Sequence, residues 1–215
     1  MSFPFKKFDL TLPETGGCSI GLIAASRSGK STLLKYIYHK HFASHITIMF
    51  SQNAHAEIYK DMPKKVIVST QYFPDLLRDA HTLNVEMDNK FKFLFISDDY
   101  IGHDIKNDKE ITKLLTIYRN ANCSSIFSFQ GRVLVSSVGR NQLNYILVGK
   151  QNTNQEWENI LKEILRAYMP EGLTLKEMVR FCIAATANHQ FFLLDTLKNE
   201  CYITKLSPEQ MREYE

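Results

Sequence analysis

The chain has 215 residues, of which 44% are hydrophobic and 23% charged, with a formal net charge of +3. This is the balance of a globular chain with one substantial core, and it excludes a disordered or low-complexity protein. The mild positive charge is compatible with a nucleic-acid partner held by part of the surface, but does not require one. Cys18, Cys123, Cys182 and Cys201 lie far apart with no C-x-x-C pair, as in a reducing compartment, so neither a disulfide nor a zinc site is expected. The N-terminus lacks the apolar core of a signal peptide, and no apolar run approaches the roughly 18 residues of a membrane span. A cytosolic chain is the expectation.

From the N-terminus, Pro4, Pro13 and Gly16-Gly17 mark an extended lead-in and a turn. Ile20, Leu22 and Ile23 form an apolar run suited to a buried strand. From Lys30 onward, Leu33, Leu34, Ile37 and Tyr38 repeat at helical spacing. Between them, Ala24-x-x-x-x-Gly29-Lys30-Ser31 matches the phosphate-loop pattern G-x-x-x-x-G-K-[S/T] at every fixed position but the first. Alanine carries a steric cost at that first position only if the backbone needs positive φ there. The loop residues Ala25, Ser26, Arg27, Ser28, Gly29, Lys30, Ser31 and Thr32 are therefore assigned to nucleotide binding. Backbone N–H groups and the helix N-terminus would face the phosphates, Lys30 would add a full charge, and Ser31 would hold Mg²⁺.

Further strands are expected over Ile46–Phe50, Lys64–Ser69, Phe91–Ser97, Ser124–Phe129 and Tyr145–Val148. Helices are expected from Pro74, with Leu76, Leu77, Ala80, Leu83 and Met87 on one face, and over Ile111, Leu114, Leu115 and Tyr118, finishing near Arg119. Alternating strands and helices argue for an α/β fold with a mostly parallel sheet, whose ligands sit at the carboxyl ends of the strands. In the last third, Trp157, Ile160, Leu161, Ile164, Leu165 and Tyr168 read as an amphipathic helix, and Thr174-x-x-Glu177 as a capping box. Gln190–Leu194 and Cys201–Thr204 read as a hairpin that extends the core sheet. One domain over 1–215 is expected, with a core at about 18–150 and a C-terminal helical and β-hairpin extension at about 151–215.

Asp98-Asp99 closes the most apolar strand. A carboxylate there can hold Mg²⁺ opposite Ser31 and its neighbour can polarise a water for in-line attack, so Asp98 is assigned to the metal and Asp99 to the water. Gln130, directly after Ser-Ile-Phe-Ser-Phe, can report on the γ-phosphate or the attacking water. Arg119, Arg132 and Arg140 are candidates for an arginine finger, in cis or from a neighbouring subunit. His39, His41 and His45 cluster without an acidic or cysteine ligand nearby, which argues against a metal site there. Asp99-x-x-Gly102 matches D-x-x-G, but the chain carries no Asn-Lys-x-Asp segment to read guanine.

The order Ala-Ser-Arg-Ser-Gly-Lys-Ser-Thr, Leu-Phe-Ile-Ser-Asp-Asp, Tyr-Arg-Asn-Ala-Asn-Cys-Ser-Ser-Ile-Phe-Ser-Phe-Gln and Gly-Arg-Asn-Gln-Leu-Asn-Tyr-Ile-Leu-Val resembles the FtsK–HerA superfamily. Within it, the chain is most similar to genome-packaging ATPases of large DNA viruses of the poxvirus type and of their virophage and polinton-like relatives. The resemblance runs from about residue 18 to about residue 150, with a weaker echo in Asn-His-Gln-Phe-Phe-Leu-Leu-Asp.

The resemblance implies a RecA-like P-loop NTPase (ASCE) core, with ATP and Mg²⁺ as cofactors. It further implies a homo-oligomeric ring, pentamer or hexamer, that moves double-stranded DNA into a preformed capsid through a portal or vertex in the host cytoplasm. By motif, Lys30 and Ser31 are the Walker A pair, Asp98 and Asp99 the Walker B carboxylates, and Gln130 the sensor. Arg119 stands at the trans finger, and Asn141 fits the Arg-Asn element. Ala24 departs from the family's glycine, Asp99 from the glutamate of many cellular relatives, and Asn122 from the histidine of the viral Arg-His segment. Nothing resembles a nuclease. A nucleoside or nucleotide kinase and a non-catalytic P-loop assembly subunit are the alternatives from other classes. Lys60, Lys64, Lys65, Arg132 and Arg140 are the basic candidates for a DNA-gripping surface.

Overall fold

The computed structural model describes residues 4–52, 59–60, 62–63, 66–99, 107–130 and 137–212. Among them, eight strands form one sheet: β1 (Ser19–Ile23), β2 (Ile46–Ser51), β3 (Ile67–Ser69), β4 (Phe93–Asp98), β5 (Cys123–Phe129), β6 (Tyr145–Val148), β7 (Phe191–Asp195) and β8 (Glu200–Thr204). Their order across the sheet is β3-β2-β4-β5-β1-β6-β7-β8. The six strands from β3 to β6 in that order are parallel, and β7 and β8 add to β6 as an antiparallel hairpin. This is the fold of a RecA-like P-loop ATPase, with the expected hairpin extension on the sheet itself.

Strand composition explains why both faces are covered. Phe93 and Phe95 of β4 and Ile146 and Val148 of β6 enter one hydrophobic cluster. Leu94, Ile96, Tyr145 and Leu147, which alternate with them, enter the other. Side chains with period two that are apolar on both sides can be satisfied only by helices on both faces. Three helices supply the first cluster: α2 (Pro74–Glu86), α3 (Lys109–Thr116) and, after the short α4 (Ser137–Arg140), α5 (Asn154–Ile160). It is completed by α6 (Leu175–Ala185), while α1 (Lys30–Ile37) and the lead-in residues Phe8 and Leu10 cover the opposite face. A last short helix, α7 (Pro208–Arg212), follows β8.

Several elements depart from the pattern in the sequence. The strand expected over Lys64–Ser69 is only Ile67–Ser69 among the described residues, and Lys64 and Lys65 lie outside them. In α2, Leu83 is 50% and Met87 38% exposed, so the inward stripe is Leu77, Ala80 and Asn84 instead. Asn84 takes the place of an apolar residue because its side chain serves three backbone groups. It donates to the Phe91 carbonyl at 3.0 Å and the Ala121 carbonyl at 2.5 Å, and accepts from the Phe91 N–H at 3.0 Å.

The helix expected to finish near Arg119 is α-helical to Thr116 and tightens into a 3-10 turn over Tyr118–Ala121. The amphipathic helix from Trp157 passes through a π turn at Leu161–Leu165 and ends as a 3-10 turn at Arg166–Tyr168. Trp157, Ile160, Leu161 and Leu165 are buried while Ile164 and Tyr168 are half-buried, so the shift in winding moves the buried stripe off strict 3.6-residue spacing. The capping boxes at Thr153 and Thr174 are both formed.

Candidate active site

The strand order places the chemistry. β5 lies between β1, which feeds the phosphate loop, and β4, which ends in Asp98. The carboxyl ends of three neighbouring strands therefore carry the loop, Gln130 and the two aspartates side by side.

The loop begins as a continuation of the sheet. The Ala24 N–H donates to the Phe129 carbonyl at 3.1 Å and the Ala25 N–H to the Lys150 carbonyl at 2.8 Å, which ties the loop's entry to the ends of β5 and β6. Ala24 is fully buried and is not among the positive-φ residues, so alanine carries no backbone strain there. Positive φ is needed instead at Arg27 (60°) and Gly29 (87°). Gly29 opens α1, whose first turn holds no side-chain cap, so the N–H groups of Lys30, Ser31 and Thr32 have no intrahelical carbonyl to bond. They form the positive end of the helix dipole.

Lys30, 4% exposed, ion-pairs with the Asp99 carboxylate and donates to the Phe129 carbonyl at 3.3 Å. Gln130 donates through Nε2 to the other Asp99 oxygen at 2.8 Å, and its Oε1 accepts from the Ser26 hydroxyl at 3.2 Å. Asp99 itself has φ 45°, a left-handed conformation that turns its side chain out of the strand, and its N–H donates to the Ser128 carbonyl at 3.2 Å. Four residues assigned from the sequence, Ser26, Lys30, Asp99 and Gln130, thus form one connected chain of polar contacts.

Asp98 is 4% exposed, and burial, with the neighbouring Asp99 charge adding to it, pushes its carboxyl up to about 6. One of its oxygens accepts from the Tyr59 hydroxyl; the other makes no well-formed hydrogen bond, although the Ser128 hydroxyl nearby opposes the effect of burial on the pKa. A buried hard oxygen with an unused lone pair and a pKa raised by desolvation fits a divalent cation, which would supply what the site lacks. Mg²⁺ in nucleotide sites is held by one or two protein oxygens plus phosphates and water, so the donors suffice. Among the described residues no group of three or more His, Cys, Asp or Glu side chains could form an all-protein metal cage.

Arg119 and Arg140 are not brought into this cluster. The Arg119 carbonyl accepts from Gly17 N–H at 2.6 Å, just before β1, and its guanidinium reaches the Gln142 carbonyl at 3.4 Å. Arg140 pairs with Glu163 at 2.5 Å and precedes β6, and Asn141 follows it. All three lie at the amino ends of the strands, away from the phosphate loop. Lys60, next to Tyr59, lies at the carboxyl ends and is exposed, so Lys60 and Arg140 mark opposite ends of the sheet. Arg132 and Gly102 lie outside the described residues, as do Lys64 and Lys65. His45 is not on a helical turn with His41; it follows the end of the helix and stacks edge-on against Phe42 at 5.0 Å.

Two residues at the site have no place in the sequence motifs. Tyr59, 5% exposed, orients Asp98, and no local pattern distinguishes it from a core tyrosine. His189 comes from the start of the hairpin and sits on the loop. Its Nδ1 is 3.2 Å from the Ser28 carbonyl, and a Cβ added at Gly29 would meet the same atom at 3.3 Å. The only sequence signal for His189 is its place in the Asn-His-Gln echo.

No protein-family model matches the sequence, and no curated protein is detectably similar to it. Solved structures do share the fold. The genome packaging NTPase B204 from Sulfolobus turreted icosahedral virus 2, solved with AMP, aligns with a TM-score of 0.65 at 17% identity over 89% of this chain and 98% of that one. The same protein with ATP-gammaS aligns at 0.64 and 18% identity, over 88% and 97%. The pCW3 conjugation coupling protein TcpA, with ATPgS, aligns at 0.59 and 12% identity, over 91% of this chain and 62% of that one. EssC ATPases 2 and 3 from Geobacillus thermodenitrificans align at 0.57 and 13% identity, over 93% and 42%. The resemblance to the FtsK–HerA superfamily carried by the motifs is borne out at the level of the fold: this chain shares the fold of the packaging NTPase B204, the coupling protein TcpA and the EssC ATPases.

Proposed function

We propose that the chain is an ATP-hydrolysing motor subunit that moves double-stranded DNA into a viral capsid, acting as one ATPase unit over residues 1–215. The observation that carries this reading is the contact chain from Lys30 through Asp99 to Gln130, set at the ends of β1, β4 and β5. The similar fold of a packaging NTPase solved with AMP and with ATP-gammaS supports the choice of nucleotide and of task.

In this reading the N–H groups of Gly29 to Thr32 and the Lys30 ammonium take the β- and γ-phosphates. Drawing Lys30 to the phosphates releases Asp99, whose carboxylate then accepts a hydrogen bond from the attacking water and orients it in line. Gln130, already bonded to Asp99 and Ser26, is placed to hold the same water or the γ-phosphate. Mg²⁺, when bound, would neutralise phosphate charge, and Ser31 and Asp98 are the residues that would hold it. Arg119, at the far end of the strands, serves a neighbouring subunit's nucleotide in a ring, and Arg140 is the second candidate.

The test is hydrolysis of ATP with and without duplex DNA, run beside phosphorylation of a nucleoside panel. DNA-stimulated hydrolysis without nucleoside phosphorylation is expected. Phosphoryl transfer to a nucleoside with no response to DNA would replace the motor with a kinase. Nucleotide binding with neither activity would leave a non-catalytic assembly subunit.

A further inference from the structure

The phosphate loop has a point of conformational freedom at Gly29. With no Cβ, this residue, at φ 87°, can take either sign of φ at similar cost. The peptide joining it to Ser28 can therefore turn over by changing ψ at Ser28 and φ at Gly29, with little displacement of the chain on either side. That peptide is planar and trans, so its carbonyl and its N–H point to opposite sides, and turning it over reverses both. A loop that binds an anion through backbone N–H groups works only in the orientation that offers the N–H. The start of α1 holds no side-chain cap that would fix this choice from within the loop.

The Ser28 carbonyl is held instead from 161 residues later in the chain. His189 Nδ1 lies 3.2 Å from the carbonyl oxygen, and because a carbonyl can only accept, the contact is a hydrogen bond with the proton on Nδ1. The ring also covers Gly29 itself: a Cβ built there would lie 3.3 Å from Nδ1, 3.8 Å from Cγ and 3.9 Å from the Cβ of His189.

The turn that carries the ring is strained. Asn188 and His189 are consecutive left-handed residues, φ 57° and 58°, a conformation that residues other than glycine rarely adopt. Its two sides are anchored, since Thr186 is 1% and Phe191 4% exposed. The Thr186 hydroxyl donates to the Cys182 carbonyl at 2.8 Å, and the Gln190 N–H to the Ala187 carbonyl at 3.3 Å. His189 itself is exposed, so burial of its ring does not account for the strained backbone. Its contact with Ser28 and Gly29 does.

We propose that His189 is a positioning residue for phosphate binding. By holding the Ser28 carbonyl it locks the Ser28–Gly29 peptide with the Gly29 N–H turned away from the imidazole, toward the phosphates. The inference rests on the ATPase reading above and adds to it a residue outside the phosphate loop, the paired aspartates and Gln130. In this role His189 touches no substrate; it acts through the backbone of the loop, preorganising a donor that glycine alone would leave free to turn. Phosphate affinity thus depends on a turn of the C-terminal extension as well as on the loop.

The test is titration of the full chain with Mg·ATP and with Mg·tripolyphosphate, which carries the phosphates without a nucleoside. His189→Gly removes the ring, and His189→Asn puts an amide nitrogen where Nδ1 stood. Both residues tolerate the left-handed backbone, so both variants should fold, as urea midpoints check. His189→Gly should weaken both ligands by the same factor, about tenfold, the scale of one well-placed hydrogen bond. His189→Asn should stay within about twofold of wild type, because its amide can donate to the same carbonyl. If His189→Gly binds both ligands as wild type does, or folded His189→Asn loses as much affinity as His189→Gly, the ring merely packs on the loop and the proposal fails. A loss confined to ATP would overturn it too, since the effect would then lie at the nucleoside. If wild type binds neither ATP nor tripolyphosphate, the ATPase reading falls and this inference with it.

Discussion

Lys30 at the start of α1 and Asp99 at the end of β4 are ion-paired with each other, although the proposed chemistry assigns one to the phosphates and the other to water. The pair holds the cationic and anionic groups of the site together, and a bound triphosphate competes with Asp99 for the ammonium. Lys30→Ala should lower hydrolysis more than a hundredfold, since electrostatic stabilisation of the phosphates is the larger part of phosphoryl-transfer catalysis. Steady-state phosphate release measures this, and near-normal turnover would remove the phosphate-loop assignment.

The two aspartates separate by what they leave intact. Asp99→Asn keeps Asp98, Ser31 and Lys30, so nucleotide should bind with little change while turnover drops by roughly 10²–10⁴-fold, the usual contribution of a positioned base. Asp98→Asn should instead raise the Mg²⁺ concentration needed for half-maximal activity. The reverse pattern in a Mg²⁺ titration of the two variants would mean that their roles are exchanged.

In the proposed ring, Arg119→Ala and Lys30→Ala subunits should each be inactive alone, and mixing them should restore part of the DNA-stimulated hydrolysis, because an intact Lys30 site can then face an intact Arg119. Arg140 is the weaker candidate, since its guanidinium is already held by Glu163. Absence of recovery in rings shown to be mixed would move the trans role to Arg140, and full activity of Arg119→Ala alone would end it.

Glu110 gives a pH-dependent stability. Burial raises its pKa, but hydrogen bonds from Lys113 at 2.7 Å and from the Tyr118 hydroxyl at 2.5 Å, with the Lys113 charge, outweigh burial and hold the carboxyl below its usual value of 4.5. A depressed folded pKa means that the contribution is present above the unfolded value and is lost as pH falls through the folded one. Glu110→Gln should therefore be less stable at pH 7 by about 1 kcal/mol, the scale of a charge-assisted hydrogen bond. The gap in urea midpoint between wild type and variant should close on acidification below pH 4.5. A gap that persists in acid would mean that packing, not charge, is responsible.

Gly17 is required by space. A Cβ there would fall 1.9 Å from the Cys123 carbonyl oxygen, which is backbone at the start of β5 and cannot swing aside. Gly17→Ala should cost about 3 kcal/mol or more, as overpacking against rigid structure does. A thermal midpoint within a degree of wild type would show that the strands can part at this point.

Much of this arrangement is legible in the sequence because it is local. The strand, loop and helix around Gly29 are contiguous, the run that becomes β4 is plainly apolar and closes on Asp98 and Asp99, and Gln130 directly follows the run that becomes β5. Residues whose roles depend on distant partners are not legible. Asn84 looks like a polar interruption of an amphipathic helix until the carbonyls of Phe91 and Ala121 arrive beside it. Tyr59 and His189 meet the site only through tertiary packing.

The strand order also governs when a nucleotide site can exist at all. β1 emerges first, yet both of its neighbours in the sheet, β5 and β6, come late, with Ser19 and Ser125 separated by 106 residues where they touch. A growing chain that has exposed Gly29 and Lys30 has no partner strand for β1 and nothing to hold the loop's entry at Ala24 and Ala25. Closing so long a connection has an entropic cost before any contact rewards it, and β1 gains neither sheet neighbour until the chain has passed residue 123. The loop's entry at Ala24 and Ala25 is therefore fixed only once β5 and the residues after β6 are in place.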